Sequence, residues 1–182
     1  MIDIEKVVAI DVHTHAEVSC RQPHDDYRPE LDAGFAKYFK TDERPTIQQT
    51  ADYYRERNMA FVMFTVDSEH AVGKKRIPNE EVAELAMKNS DVMIPFASID
   101  PHKGLMGARE ARNLIENYKV KGFKFHPTVQ GFYPYDRMAY KLYEVIAEAN
   151  LPMLFHSGHS GFGSGVKGGG GLKLEYSNPM HL

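Results

Sequence analysis

Cysteine is almost missing: Cys20 stands alone in 182 residues, so no intrachain disulfide can form. A lone thiol in a chain of this size reads as incidental, in a reduced cytoplasmic protein, rather than as a nucleophile. No run approaches the ~20 apolar residues that span a bilayer, which excludes a membrane helix. The start, Met1-Ile2-Asp3-Ile4-Glu5, lacks the basic and apolar regions of a secretory signal. Excess positive charge is lacking too. Twenty-two Lys and Arg against 25 Asp and Glu leave a formal net charge of −3, so bulk electrostatics gives a polyanion no reason to bind. Nucleic acid is not an expected partner.

Several chemical motifs are absent as well. There is no G-x-S-x-G nucleophile elbow, no Walker lysine and no pair of cysteines for a structural zinc. Gly163-Ser164-Gly165-Val166-Lys167-Gly168 has G-x-G-x-x-G spacing. A dinucleotide site would need a helix to open there, and more glycines follow instead. The stretch from Gly158 to Gly171 therefore reads as a mobile loop.

What is present is an ordinary globular composition, 42% hydrophobic and 26% charged. Apolar runs of strand length fall at Val7 to Val12, Ala60 to Val66, Met93 to Ile99, Gly122 to Phe125 and Pro152 to Phe155. Between them lie segments with helical period. Ala111, Leu114, Ile115 and Tyr118 line one helix face, and Met138, Leu142, Val145, Ile146 and Ala149 another. Thr46, Asn79 and Asp136 are the expected N-caps of three helices. Alternating strand and helix predicts a parallel sheet faced by helices. About five βα units can be counted, where a closed (β/α)₈ barrel usually takes about 250 residues. The sheet is open, or it is the front of a longer barrel. The polar stretch from Glu17 to Pro45, with His24, Asp25, Asp26 and Tyr27, reads as a lid after the first strand.

Candidate chemistry collects at the ends of these strands. Asp11-Val12-His13-Thr14-His15 closes the first, and alternation puts His13 and His15 on one face, where both imidazoles can reach one ion. Two packed strand histidines are the competing explanation. Asp11 is assigned to the opposite face as an anchor. His156 directly follows the fifth strand and can supply a third nitrogen, with His159 beside it as a substrate contact or loop filler. Lys124 and His126 end the fourth strand on a shared face. Either can hold a substrate carboxylate or carbonyl, and Lys124 can instead be carbamylated or close a salt bridge. Asp100 and His102 end the third strand and are expected to shape the pocket.

Taken together, Ile10-Asp11-Val12-His13-Thr14-His15, Ser98-Ile99-Asp100-Pro101-His102, Gly122-Phe123-Lys124-Phe125-His126-Pro127 and Leu154-Phe155-His156-Ser157-Gly158 resemble the amidohydrolase-related branch of the amidohydrolase superfamily. Val129-Gln130-Gly131-Phe132-Tyr133-Pro134 and Tyr176-Ser177-Asn178-Pro179-Met180 are similar to members labelled hydroxyphenyl-ketoacyl-CoA hydrolase-like. Decarboxylases of aminocarboxymuconate semialdehyde belong to the same branch. The resemblance implies a (β/α)₈ TIM barrel, of which residues 1–182 form one domain supplying about the first five βα units. It implies one divalent ion, zinc or else manganese, on His13, His15 and His156, with His156 and Lys124 catalytic. Substrate contacts then fall to His126, His159, Asp100 and His102.

The family pattern further calls for a histidine after a sixth strand and an aspartate after an eighth. A sequence reaching Leu182 is thus expected to be part of a longer enzyme, inactive alone and prone to form homo-oligomers through uncovered sheet. The implied chemistry is a metal acidifying water from a pKa of about 15.7 to about 7 for attack on a small aromatic or ketoacyl carbonyl compound. Decarboxylation by the same ligands is the alternative. A TatD-like phosphoesterase also begins with H-x-H, but its Gly-Glu-x-Gly motif is missing; a non-catalytic half-barrel is the remaining possibility.

Overall fold

The computed structural model describes residues 1–23, 28–41 and 44–182. Among these residues five strands form: β1 (Ala9–His15), β2 (Met59–Phe64), β3 (Met93–Pro95), β4 (Phe123–Phe125) and β5 (Met153–Phe155). The helices are α1 (Pro29–Phe39), α2 (Ile47–Glu56), α3 (Glu69–Val72), α4 (Asn79–Lys88), α5 (Gly104–Tyr118), α6 (Pro127–Gln130) and α7 (Tyr140–Glu148). β1, β2 and β3 pair in that order and β4 pairs with β5, every pairing parallel. A bridge between Ala97 and Phe123 joins the two groups into one arc. No helix among the described residues is long and apolar enough to cross a membrane.

β2 explains why its sequence is an unbroken apolar run. Phe61 and Met63 pack outward with Ile47 and Ala51 of α2 and with Val82 and Ala86 of α4. Val62 and Phe64 point inward with Phe96, Ile94 and Leu154. A strand covered on both faces needs hydrophobic residues at every position. The largest cluster lies between α5, α7 and the later strands, centred on Phe123, Phe125, Leu114, Leu142 and Ile146. The helical faces expected from Ala111, Leu114 and Leu142, Val145, Ile146 are the ones buried there.

β1 runs further than its apolar run and takes in both histidines. β3 stops short, at Pro95 rather than Ile99. Beyond Pro95 the backbone changes partner: Phe96 N–H donates to the Met63 carbonyl at 2.9 Å, whereas Ala97 N–H donates to Gly122 at 2.9 Å. Thr46 caps α2 in a full capping box with Gln49. Asn79 does not cap α4. Its side chain instead donates to the Ser98 carbonyl (2.8 Å) and accepts from Ser98 N–H (2.9 Å), bracing the exit of β3. Asp136 is likewise no side-chain cap; its carboxylate accepts from Tyr133 N–H at 2.8 Å.

Within the lid region the structure builds α1, an element that polar composition concealed; His24, Asp25, Asp26 and Tyr27 lie outside the described residues. The glycine-rich segment is packed rather than loose. Phe162, Val166 and Leu172 cluster with Leu31 of α1, Val72 and Val129. At Gly34 and Gly161 a Cβ would collide with Ser164 O and with the rings of Tyr38 and Phe39, so glycine permits this close approach.

Candidate metal centre

The histidines of β1 share a face by alternation, and an extra residue in the strand turns Asp11 away from them. Asp11 pairs with Phe61 and Thr14 with Met63, so three steps on β1 meet two on β2, a bulge that re-aims the side chains between them. Asp11, opposite the helix-facing Phe61, turns outward. Its carboxylate accepts from Tyr54 of α2 at 2.5 Å and from His13 N–H at 2.8 Å, anchoring the bulge from outside. His13 and His15 project over Phe64 instead, their ring centroids 5.5 and 4.8 Å from its ring. Their Nε2 atoms converge to 3.2 Å.

Around this pair stand groups from the other strand ends. His156 presents its ring edge-on to His13, 6.4 Å between centroids. Its Nε2 lies 3.1 Å from the His159 carbonyl, which can only accept, so that nitrogen bears the hydrogen and Nδ1 the lone pair. His126 stacks on His156 at 3.9 Å and 12°. Lys124 Nζ sits 3.4 Å from His13 Nε2 and 4.9 Å from the centre of the Phe64 ring. No carboxylate among the described residues pairs with this fully buried ammonium, so the salt-bridge alternative for Lys124 has no partner.

The electrostatics favour lone pairs. Burial, then the Lys124 charge, lowers the pKa of His13 and of His156, and the same causes push His15 down to about 3. His126 is held well below the ordinary imidazole value by burial and by its histidine neighbours. Burial also brings Lys124 down to about 8. At neutral pH the four imidazoles are uncharged, the form that binds metal.

A cavity of about 650 Å³ opens onto this cluster, with His13, His15, His126, His156 and His159 on one wall. Phe35, Tyr38 and Phe39 of α1 line it as well, with Phe162 and the cationic Arg44, Lys74 and Lys75. Lys124 is not on the surface of the cavity but behind His13. Asp100 and His102 are not on it either. Asp100 accepts from His102 N–H (3.0 Å) and Nδ1 (2.7 Å) and from His70 N–H (3.3 Å), and His102 stacks on His70 at 4.0 Å. The expected pocket role of this pair gives way to a brace at the exits of β2 and β3.

Two nitrogens bound to one zinc at about 2.0–2.1 Å in tetrahedral array lie roughly 3.3 Å apart. The 3.2 Å separation of the His13 and His15 Nε2 atoms fits that edge. His156 adds a ring whose second nitrogen is already given to a carbonyl, the outer-sphere pattern of metal-bound histidines. No group of three His, Cys, Asp or Glu side chains among the described residues is already gathered tightly enough to hold an ion, so the third ligand must draw in.

The sequence did not reveal a polar network under this site. Buried Asp67 accepts from Arg76 (2.5 Å), Lys103 (2.6 Å) and Asp100 N–H (2.9 Å) on one oxygen, and Arg76, which reaches the cavity, also binds Glu110 at 2.5 Å. Partners far apart in sequence leave no local signal.

A family model described as amidohydrolase matches residues 10–182. No curated protein matches. Among solved structures, an uncharacterized TIM-barrel protein from Bordetella bronchiseptica is similar over 96% of this chain and 61% of its own, with TM-score 0.65 and 15% identity. A 5-carboxyvanillate decarboxylase from Novosphingobium aromaticivorans, complexed with manganese and 4-hydroxy-3-methoxy-5-nitrobenzoic acid, has TM-score 0.54 and 13% identity over 85% of this chain and 51% of its own. A 4-oxalomesaconate hydratase from Rhodopseudomonas palustris has TM-score 0.50 and 18% identity over 81% and 51%. The chain thus spans about half to three-fifths of these structures, and its five strands are the corresponding part of a TIM barrel.

Proposed function

Because this chain belongs to the amidohydrolase family, matched over residues 10–182, we propose that it acts in metal-dependent hydrolysis of a small carbonyl or carboxylate compound bearing an aromatic or ketoacyl group. The convergence of two uncharged imidazoles, His13 and His15, to 3.2 Å at the floor of a large cavity carries this reading. His156 completes the set. A divalent ion, zinc by preference for nitrogen donors and manganese otherwise, supplies Lewis acidity when bound, polarising an oxygen and making hydroxide available near neutral pH.

The chain's own residues do the rest. Lys124 works through His13, since its charge, 3.4 Å from His13 Nε2, disfavours a second positive charge there and helps hold the imidazole uncharged. His126, whose buried Nδ1 has no hydrogen-bond partner, is the residue offered to a polar end of the substrate, with His159 at the rim. Phe35, Tyr38, Phe39 and Phe162 give a planar ring an apolar wall and keep bulk water out. Carboxy-lyase chemistry would use the same ligands, with protonation of the carbon that loses carbon dioxide.

Assay separates the two. Assayed with all eight barrel strands present, the zinc-loaded protein is expected to release thiol from an aromatic ketoacyl thioester, and His15→Ala to lose at least the roughly 10–100-fold that loss of an outer-sphere partner costs. Carbon dioxide from a hydroxylated aromatic acid without thiol release assigns the lyase. Inactivity in both assays of zinc-loaded protein that carries all eight barrel strands contradicts the enzymatic reading.

A further inference from the structure

Gln130 closes the one-turn helix α6, is fully buried and does not line the cavity. Its side-chain oxygen accepts from His126 N–H at 2.7 Å. Its amide nitrogen donates to the carbonyls of Asp67 at 2.8 Å and Ile99 at 3.3 Å. Those three backbone groups lie just past the ends of β4, β2 and β3. One amide therefore ties three strand exits together, using an acceptor and two donors that only a carboxamide offers without charge. All three partner residues are buried, so water cannot replace the bonds.

The residue that Gln130 holds most directly is His126. With its backbone fixed, the His126 ring lies flat against His156, 3.9 Å away and within 12° of parallel. We propose that Gln130 is a positioning residue of the metal centre, setting the plane of the His156 ring through the clamped and stacked His126. The inference rests on the reading that His13, His15 and His156 hold one ion. It assigns His126 a supporting role through its ring face in addition to any substrate contact.

Calorimetric titration of the metal-free protein with zinc tests it, alongside circular dichroism and thermal melting of each variant. Gln130→Met keeps the volume and removes all three bonds. Its zinc affinity is expected to fall at least about 10-fold, as loss of outer-sphere support typically does. Gln130→Asn, one methylene too short to span the three groups, carries the same expectation should the Met variant not fold. His126→Phe keeps the stack and is expected to bind within about threefold of wild type, with His126→Ala falling like Gln130→Met. Leu142→Ala, a destabilising change in the core face of α7, controls for lost stability and should leave affinity unchanged.

Wild-type affinity in a folded Gln130 variant overturns the positioning role while leaving the metal centre standing. So does a loss no larger than in an equally destabilised Leu142→Ala protein. Equal losses in His126→Phe and His126→Ala overturn the stacking route. A wild-type protein that takes up no zinc overturns the metal centre and this inference together.

Discussion

At the scale of single residues, the centre depends on a bulge that period-two alternation does not contain. Strict alternation would put Asp11, His13 and His15 on one side; the extra residue before Thr14 sends Asp11 out to Tyr54 and leaves the two imidazoles inward. Lys124 is the residue with the clearest energetic signature. A buried ammonium without a carboxylate is costly. Its folded pKa of about 8, against about 10.5 unfolded, means that the native protein holds fewer protons between those values. The penalty, about 3 kcal/mol at 1.36 kcal/mol per unit, is fully present below pH 8 and is relieved as pH rises toward 10.5. Urea denaturation of metal-free protein should therefore show stability climbing across pH 8 to 10. Lys124→Met should be more stable than wild type at pH 7 by about 2 kcal/mol and lack the climb; a parallel pH dependence in both proteins contradicts this. The histidines were legible because strand-end position is written in the sequence. Gln130 was not, since its two carbonyl partners sit 31 and 63 residues away, nor was the Asp67 network, whose Asp100 and Lys103 lie 33 and 36 residues on, and Asp100 and His102 misled because a residue past a strand end can turn to its neighbours as readily as to the mouth.

Among the elements, strands and helices were legible wherever periodicity and two-sided burial acted together, as in β2, α5 and α7. Boundaries were less so. The β3 strand was read through to Ile99, but its backbone passes from β2 to β4 at Phe96 and Ala97, a change of partner that apolar composition does not mark. Gly122 stands where β4 meets that crossing, and a Cβ there would overlap the Phe96 ring. Overpacking of a fixed aromatic usually costs about 1–3 kcal/mol. Gly122→Ala should lower the unfolding free energy by that amount in urea titration, and an unchanged midpoint would show that Phe96 can move aside. The lid obeys similar reasoning. Helix α1 escaped sequence analysis because its apolar stripe, Leu31, Phe35, Tyr38 and Phe39, meets a glycine-rich segment rather than the main core.

For the whole molecule, the arc of strands leaves two edges, β1 and β5, each paired on one side among the described residues. Val8, Ile10 and Val12 of the β1 region are 75%, 43% and 56% exposed, an apolar strip beside unpaired backbone. Such edges invite association. We expect a concentration-dependent oligomer in analytical ultracentrifugation of this chain, shifted toward monomer by Ile10→Lys with Val12→Lys; a sedimenting monomer at every concentration contradicts that expectation. What the arc achieves is to bring the first strand and the fifth to a common point, and X-ray absorption of the zinc-loaded protein tests that directly. The account predicts one zinc per chain with imidazole nitrogens at about 2.0–2.1 Å, and one fewer imidazole in each of His13→Ala, His15→Ala and His156→Ala. A coordination shell unchanged by all three substitutions would contradict it.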